Sequence, residues 1–270
     1  QHAAFRLPRS VVPTSYAIDI STDPAWPDFH GDVRIELEFL ERVDAIVLHS
    51  KDLALDEAKL VDAGGATRAL DIQLVAESEI ARLTAEAPFA PGRACLSIRF
   101  RGTPSPGMHG LYLARDGEER AICTQCEATD ARAIFPCFDE PTFKATIAWT
   151  VRTTRDVVAL ANGPLEECRE ANGGKIWRFR ATEAISTYLA ALAVGDFEGT
   201  EATLSGTTPI RVFAMRGKSR HARFAHELTE KLLPRYAEYF GTPYPYGKYD
   251  QVAVPGFDAD LREIEFTDLL

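Results

Sequence analysis

Alternation of apolar and polar residues constrains this chain more than any other feature. In DVRIELEFL, Val33, Ile35, Leu37 and Phe39 take one parity, and Arg34, Glu36 and Glu38 take the other. SYAIDI repeats the pattern with Tyr16, Ile18 and Ile20, CLSIRF with Leu96, Ile98 and Phe100, and TIAWTV with Ile147, Trp149 and Val151. KIWRFRA sets Trp177 and Phe179 against Arg178 and Arg180. A period of two puts successive side chains on opposite faces of a strand, so these segments read as half-buried strands of an antiparallel sheet. Turn-forming clusters separate them: DPAWPDFHGD, DAGGATRA, APFAPGRA, GTPSPGMHG and EANGGK. Gly, Pro, Asn and Asp at these points favour chain reversal. The expected fold class is mainly β.

The pattern changes near residue 205. SGTTPIRVFAMRGK reads as a loop and a strand. SRHARFAHELTEKLLPRYAEYFG is the one long helical pattern, with Phe224, Leu228, Leu232, Tyr236, Tyr239 and Phe240 recurring every three to four residues. Ser219 is the expected N-cap and Gly241 the stop. Pro234 should kink or split the helix. YDQVAVPGF then returns to strand. The expected organisation is an all-β domain over residues 1–205 and an incomplete α/β segment over residues 206–270.

A chain of 270 residues buries enough surface to fold without disulfide staples. Its five cysteines, Cys95, Cys123, Cys126, Cys137 and Cys168, are odd in number and irregularly spaced, which does not read as a disulfide framework. The net charge of -10 disfavours nucleic acid and anionic membranes as partners and favours cationic ligands, including free amines. No apolar run reaches the ~18 residues of a membrane span. Both the cytoplasm and an exported location remain open.

Four segments in order carry a family resemblance. RLPRSVVPTSYAIDI, CTQCEATDARAIFPCFDEPTFKATIAWTV, AISTYLAALAVGDFE and YAEYFGTPYPYGKYDQVAVPGFDA together resemble the aminopeptidase N family of zinc metallopeptidases, the gluzincin aminopeptidases. The resemblance runs from residue 6 to about residue 259. It implies a saddle-shaped β-domain that walls the substrate cleft, followed by the start of a thermolysin-like catalytic domain. It also implies that Gln125 and Glu127 line the pocket for the first substrate residue, with Glu127 accepting the substrate's α-ammonium group. A carboxylate in a closed cleft gains most from a cation that also hydrogen-bonds to it.

The chain departs from the family pattern after PGFDA. The family continues with Gly-Ala-Met-Glu-Asn, where this sequence has DLREI. Glu263 falls on the family's glutamate, with Asp260, Leu261, Arg262 and Ile264 at the other four positions. Glu263 therefore reads either as a second amine anchor or as a surface carboxylate in a divergent tail. The family's His-Glu-x-x-His zinc helix would belong beyond residue 270, so zinc is expected in the complete family enzyme and no metal ligands or catalytic residues are expected here.

Two shorter motifs lead elsewhere. HELTE supplies His226 and Glu227 but has Glu230 where a zinc helix needs its second imidazole. CTQC lacks the second ligand pair of a zinc site and the strand-to-helix setting of a redox pair. Cys123 and Cys126 therefore read as small, half-buried residues. FPCFDEP reads as structural, with Phe135 and Phe138 buried, Asp139 and Glu140 pairing with a base such as Arg132, and Pro141 opening a strand.

The expected function is the recognition portion of a zinc aminopeptidase, inactive by itself, which binds peptide amino termini through Gln125, Glu127 and Glu263. The alternative is a stand-alone β-domain that binds peptides or proteins without chemistry. Residues 206–270 should expose apolar surface, and are expected to pack back on the β-domain, to pair with a catalytic part or another copy, or to be poorly ordered.

Overall fold

The fold was analysed in a computed structural model, which describes residues 6–154 and 156–256. The chain opens with β1 (Val11–Ser21), β2 (Phe29–Phe39), β3 (Val43–His49), β4 (Ala54–Asp62), β5 (Thr67–Ala69), β6 (Asp71–Val75), β7 (Ile80–Phe89) and β8 (Gly92–Gly102). It continues through β9 (Gly110–Asp116), β10 (Glu119–Gln125), β11 (Thr146–Thr154), β12 (Val158–Ala161), β13 (Leu165–Ala171), β14 (Gly174–Phe179) and β15 (Leu192–Gly195). The last elements are β16 (Phe197–Gly199), β17 (Thr203–Ser205), β18 (Thr208–Met215), α1 (Ser219–Phe240) and β19 (Tyr249–Val252).

The mainly β reading holds. The largest sheet has the order β13-β14-β11-β1-β2-β8-β4-β5, and a three-stranded sheet, β3-β7-β6, joins it. Alternation places Tyr16, Ile18, Ile20, Val33, Ile35, Leu37, Leu96, Ile98, Phe100, Ile147, Trp149 and Val151 in one continuous core. The expectation of antiparallel pairing needs one correction at the centre of this sheet. β1 runs parallel to β11, with Tyr16 opposite Ile147 and Ile18 opposite Trp149. Alternation alone is the same for either direction, so pairing direction had to come from the fold.

A second sheet, β12-β15-β10-β9, carries the segment of interest. A further sheet has β18 at its centre, with β16 and β17 antiparallel to it and β19 parallel. β18 is covered on both sides. Phe213 and Met215 pack with Tyr112, Cys123 and Leu160 of the second sheet. Val212 and Ala214 meet Ala222 and Ala225 of α1, and Ile210 meets Leu233. The described part of residues 206–270 thus packs back on the preceding sheets.

α1 docks through its small and polar stripe. Ala222, His226, Thr229 and Leu233 are buried. His226 is held between two hydroxyls, Thr200 Oγ1 at 2.5 Å from Nδ1 and Thr203 Oγ1 at 2.6 Å from Nε2. The amphipathic stripe that identifies the helix faces solvent instead: Phe224 is 74%, Tyr239 82% and Phe240 70% exposed. The N-terminus also differs from expectation. Ser219 is the first helical residue, and Glu198 Oε1 caps the helix by accepting from the Gly217 and Ser219 N–H groups at 2.9 and 3.2 Å. Pro234 lies inside the helix without splitting it, and Gly241 ends it with a left-handed φ of 66°.

Candidate functional site

β10 delivers the site residues to the end of the second sheet. Cys123 pairs with Tyr112 on one side and Ala193 on the other, and Gln125 opposite Gly110 is the last pair. Beyond it the chain leaves the sheet in a turn. The Asp130 N–H donates to the Cys126 carbonyl at 2.8 Å, and the Cys126 thiol donates to the Ala190 carbonyl at 3.0 Å. The Glu127 N–H donates to Gln125 Oε1 at 3.4 Å, and the Glu127–Ala128 peptide bond is cis. Both side chains are half-buried. Gln125 and Glu127 therefore stand together at one strand end, while Glu263 lies outside the described residues.

An ionic scaffold holds this turn from below. Arg132, in a single 3₁₀ turn over Ala131–Ala133, donates from Nε to Asp139 Oδ2 at 3.0 Å and from Nη2 to the Asp139 carbonyl at 3.0 Å. Its Nη1 reaches Glu79 Oε2 at 3.0 Å. Thr187 Oγ1 donates to Asp139 Oδ1 at 2.6 Å. The Asp139 N–H donates to His49 Nδ1 at 3.2 Å. Burial, and then the Arg132 charge, pull the His49 pKa down to about 4, so the ring is neutral at pH 7 and its Nδ1 lone pair is free to accept. Lys51 Nζ bridges Glu79 Oε1 and Asp130 Oδ1, each at 3.2 Å.

FPCFDEP is structural in detail as well as in outline. Phe135 and Phe138 are buried, and the Tyr16 hydroxyl accepts from the Phe138 N–H at 3.1 Å. Asp139 pairs with Arg132, as expected. Glu140 also pairs with a base, Arg6 at 3.3 Å, and accepts from the Leu7 N–H at 2.6 Å. Pro141 occupies an exposed turn, and β11 begins only at Thr146. Cys123 and Cys126 are fully buried, not half-buried. Burial pushes the Cys123 thiol up to about 12, opposite to the shift that makes a thiol reactive.

Charge pairing around the turn is uneven. Asp130, Asp139 and Glu140 each have a cationic partner. Glu127 is the one carboxylate between residues 123 and 141 without a cationic partner among the described residues. Such a carboxylate, half-buried and backed by a fixed turn, can accept a hydrogen-bonding cation.

No group of three His, Cys, Asp or Glu side chains converges to hold a metal ion among the described residues. In HELTE, Glu230 Oε1 lies 3.9 Å from His226 Nε2, and both ring nitrogens already engage threonines. Two concavities, of about 400 Å³ beside Asp23 and Arg216 and about 290 Å³ beside Arg42 and Arg82, lie elsewhere, and neither is lined by Gln125 or Glu127. Among the described residues no helix is long and apolar enough to cross a membrane.

Several supporting residues were invisible in the sequence. Lys51 and Glu79 come from distant segments and carry no motif, and Thr187 lies in a recognised segment but was given no role there. His49 looked isolated because its partner Asp139 is remote in sequence. Asn162 is a further one: it accepts from the Ala191 N–H at 2.7 Å and donates to the Leu189 carbonyl at 2.8 Å, fixing the strand entry that Cys126 bonds.

Comparison with known proteins gives this geometry a context. Residues 12–189 match the family described as Peptidase M1 N-terminal domain. Aminopeptidase M1-D of Oryza sativa subsp. japonica is 35% identical over 262 residues, covering 96% of this chain and 30% of the rice protein. Aminopeptidase N of Acetobacter pasteurianus is 36% identical over 262 residues, covering 95% of this chain and 72% of that protein. Endoplasmic reticulum aminopeptidase 2 of Bos taurus is 33% identical over 270 residues, covering 96% of this chain and 28% of the bovine protein. The chain thus spans under a third of the length of its rice and bovine relatives.

Proposed function

The chain belongs to the Peptidase M1 N-terminal domain family, and from that premise we propose that it forms the amine-recognition wall of a zinc aminopeptidase's substrate cleft. Glu127 accepts the α-ammonium group of a peptide, and Gln125 fixes the Glu127 backbone and borders the first-residue pocket. Recognition, not bond cleavage, is this portion's share of the reaction. One observation carries the reading: within the segment of residues 123–141, Glu127 alone has no cationic partner among the described residues, while the other carboxylates are all paired. An arriving ammonium group completes that pattern. Glu263 enters the reading by sequence position alone.

In this reading residues 1–205 are the recognition domain and residues 206–270 open the thermolysin-like catalytic domain. The solvent-facing stripe of α1 then packs against the part of the enzyme that, in the longer relatives, lies outside the matched span.

The test is a chemical-shift titration of the labelled chain with leucinamide and with N-acetylleucinamide. A charge-assisted hydrogen bond contributes about 1.5–3 kcal/mol, so acetylation should weaken binding by about tenfold or more. Leucinamide should move the amides of residues 125–128, and Glu127→Gln should abolish the effect. Equal shifts from both compounds, no shifts from either, or full binding by the Gln variant would each refute the reading.

A further inference from the structure

We infer that Lys51 is a positioning and specificity residue for this site: its ammonium group ties down the Glu127 turn through Asp130 and neutralises the competing acids beside it. The inference rests on the reading of Glu127 as the amine acceptor.

The geometry has two parts. The first is mechanical. Glu127 is the second residue of a turn whose ends are joined by the Asp130 N–H on the Cys126 carbonyl. Within the turn, that bond and the Gln125 amide hold only the backbone. The Asp130 side chain is held from outside, by Lys51 Nζ at 3.2 Å. Lys51 is itself anchored, because its N–H donates to the Arg132 carbonyl at 3.0 Å and its Nζ also meets Glu79. The neighbouring Ser50 N–H donates to the Glu79 carbonyl at 2.8 Å. A residue just past β3 thus clamps a turn that follows β10.

The second part is electrostatic. Asp130 lies three residues from Glu127, and Glu79 faces the same ammonium group. Without Lys51, Asp130 would lose its cation and Glu79 would keep only Arg132. Extra negative charge there would attract any cationic part of a ligand, and Glu127 would no longer be the sole acceptor. Burial lowers the Lys51 pKa, but the hydrogen bonds to Glu79 and Asp130 outweigh it, so the ammonium stays charged at pH 7. Lys51 is about a third exposed, so its effect belongs to local order and selectivity more than to global stability.

The experiment uses Lys51→Met, Lys51→Arg and Asp130→Ala chains. Amide exchange of Asp130 is followed first, without ligand. It should quicken about tenfold or more in the Met variant and return to within about twofold of the unsubstituted chain in the Arg variant. Leucinamide and lysinamide titrations follow. The Met variant should bind leucinamide about tenfold more weakly and shift its preference toward the dicationic lysinamide by about threefold, with Arg restoring both. A purely structural lysine would not move that preference. Should Lys51→Met fail to fold, Asp130→Ala decides, with the same loss of leucinamide affinity expected. Unchanged Asp130 exchange and unchanged selectivity in the Met variant would overturn the inference. If the unsubstituted chain ignores leucinamide while Asp130 exchange still responds to Lys51, the reading of Glu127 has failed and the clamp has not.

Discussion

Replacing Asp139 by Asn should be among the most damaging single changes of near-equal volume in this protein. The carboxylate side chain is 2% exposed and the Arg132 side chain 10% exposed. Asp139 Oδ2 accepts from Arg132 Nε and from the Arg132 backbone N–H at 3.0 and 3.3 Å, and Oδ1 accepts from Thr187. Asn keeps the shape but has one acceptor oxygen where three donors converge. Its NH₂ group must then face either the Thr187 hydroxyl or the guanidinium. Breaking a buried ion pair from one side costs about 3–5 kcal/mol, because the other charge stays buried. Arg132 retains Glu79 and the Asp139 carbonyl, which places the expected loss near the lower end, about 3 kcal/mol. Urea unfolding followed by tryptophan fluorescence reads this directly. With a denaturant slope of about 3 kcal/mol per molar, the midpoint should fall by roughly 1 M. A loss below about 1 kcal/mol at unchanged slope would refute the argument, since it would mean that Arg132 is satisfied without Asp139.

Two further outcomes follow from the same structure. The His49 pKa is lowered from 6.5 to about 4 in the folded protein, so between those values the unfolded state binds more protons. The stability that His49 contributes is complete above about pH 6.5 and is lost as pH falls toward 4. An unfolding midpoint measured from pH 8 to pH 4 should decline over that window, and His49→Gln should flatten the decline; an equal slope in the variant would contradict the assignment. Phe224→Gln and Tyr239→Gln should each change stability by no more than about 0.5 kcal/mol, because both side chains face solvent. A loss above about 1.5 kcal/mol from either, measured by the same denaturation, would mean that the stripe is covered.

What was legible in the sequence is what depends on local periodicity. A period of two fixed the strands and their inward residues, because a half-buried strand has only one way to hide an apolar parity. Pairing across the sheet is not local, so β1 beside β11 could not be read from either segment. In α1 the period gave the helix but not its docking face. The sheet beneath it presents Val212 and Ala214, and close approach favours the small residues Ala222 and Ala225 over Phe224 and Phe240. The cap came from Glu198 because Ser219 is already the first helical residue, one place beyond the capping position, and a carboxylate on the neighbouring strand β16 meets the free N–H groups. At the site, Gln125 and Glu127 were named through a resemblance carried by their neighbours. Their supports, Lys51, Glu79 and His49, converge only in three dimensions.

The pairing of β1 with β11 also sets an order of events. β1 can fold onto β2 almost as soon as both exist, since a short turn joins them. Its other edge stays unpaired until Thr146–Thr154 has been synthesised, which at ~5–20 residues per second takes on the order of ten seconds. During that interval the emerging chain offers a strand bearing Tyr16, Ile18 and Ile20 with open backbone hydrogen-bonding groups. Joining strands so far apart in sequence is slow once both are present, because a long loop must close before any contact rewards it. A central strand of the finished sheet is therefore the most vulnerable edge of the nascent one, and chaperone demand should peak before β11 arrives.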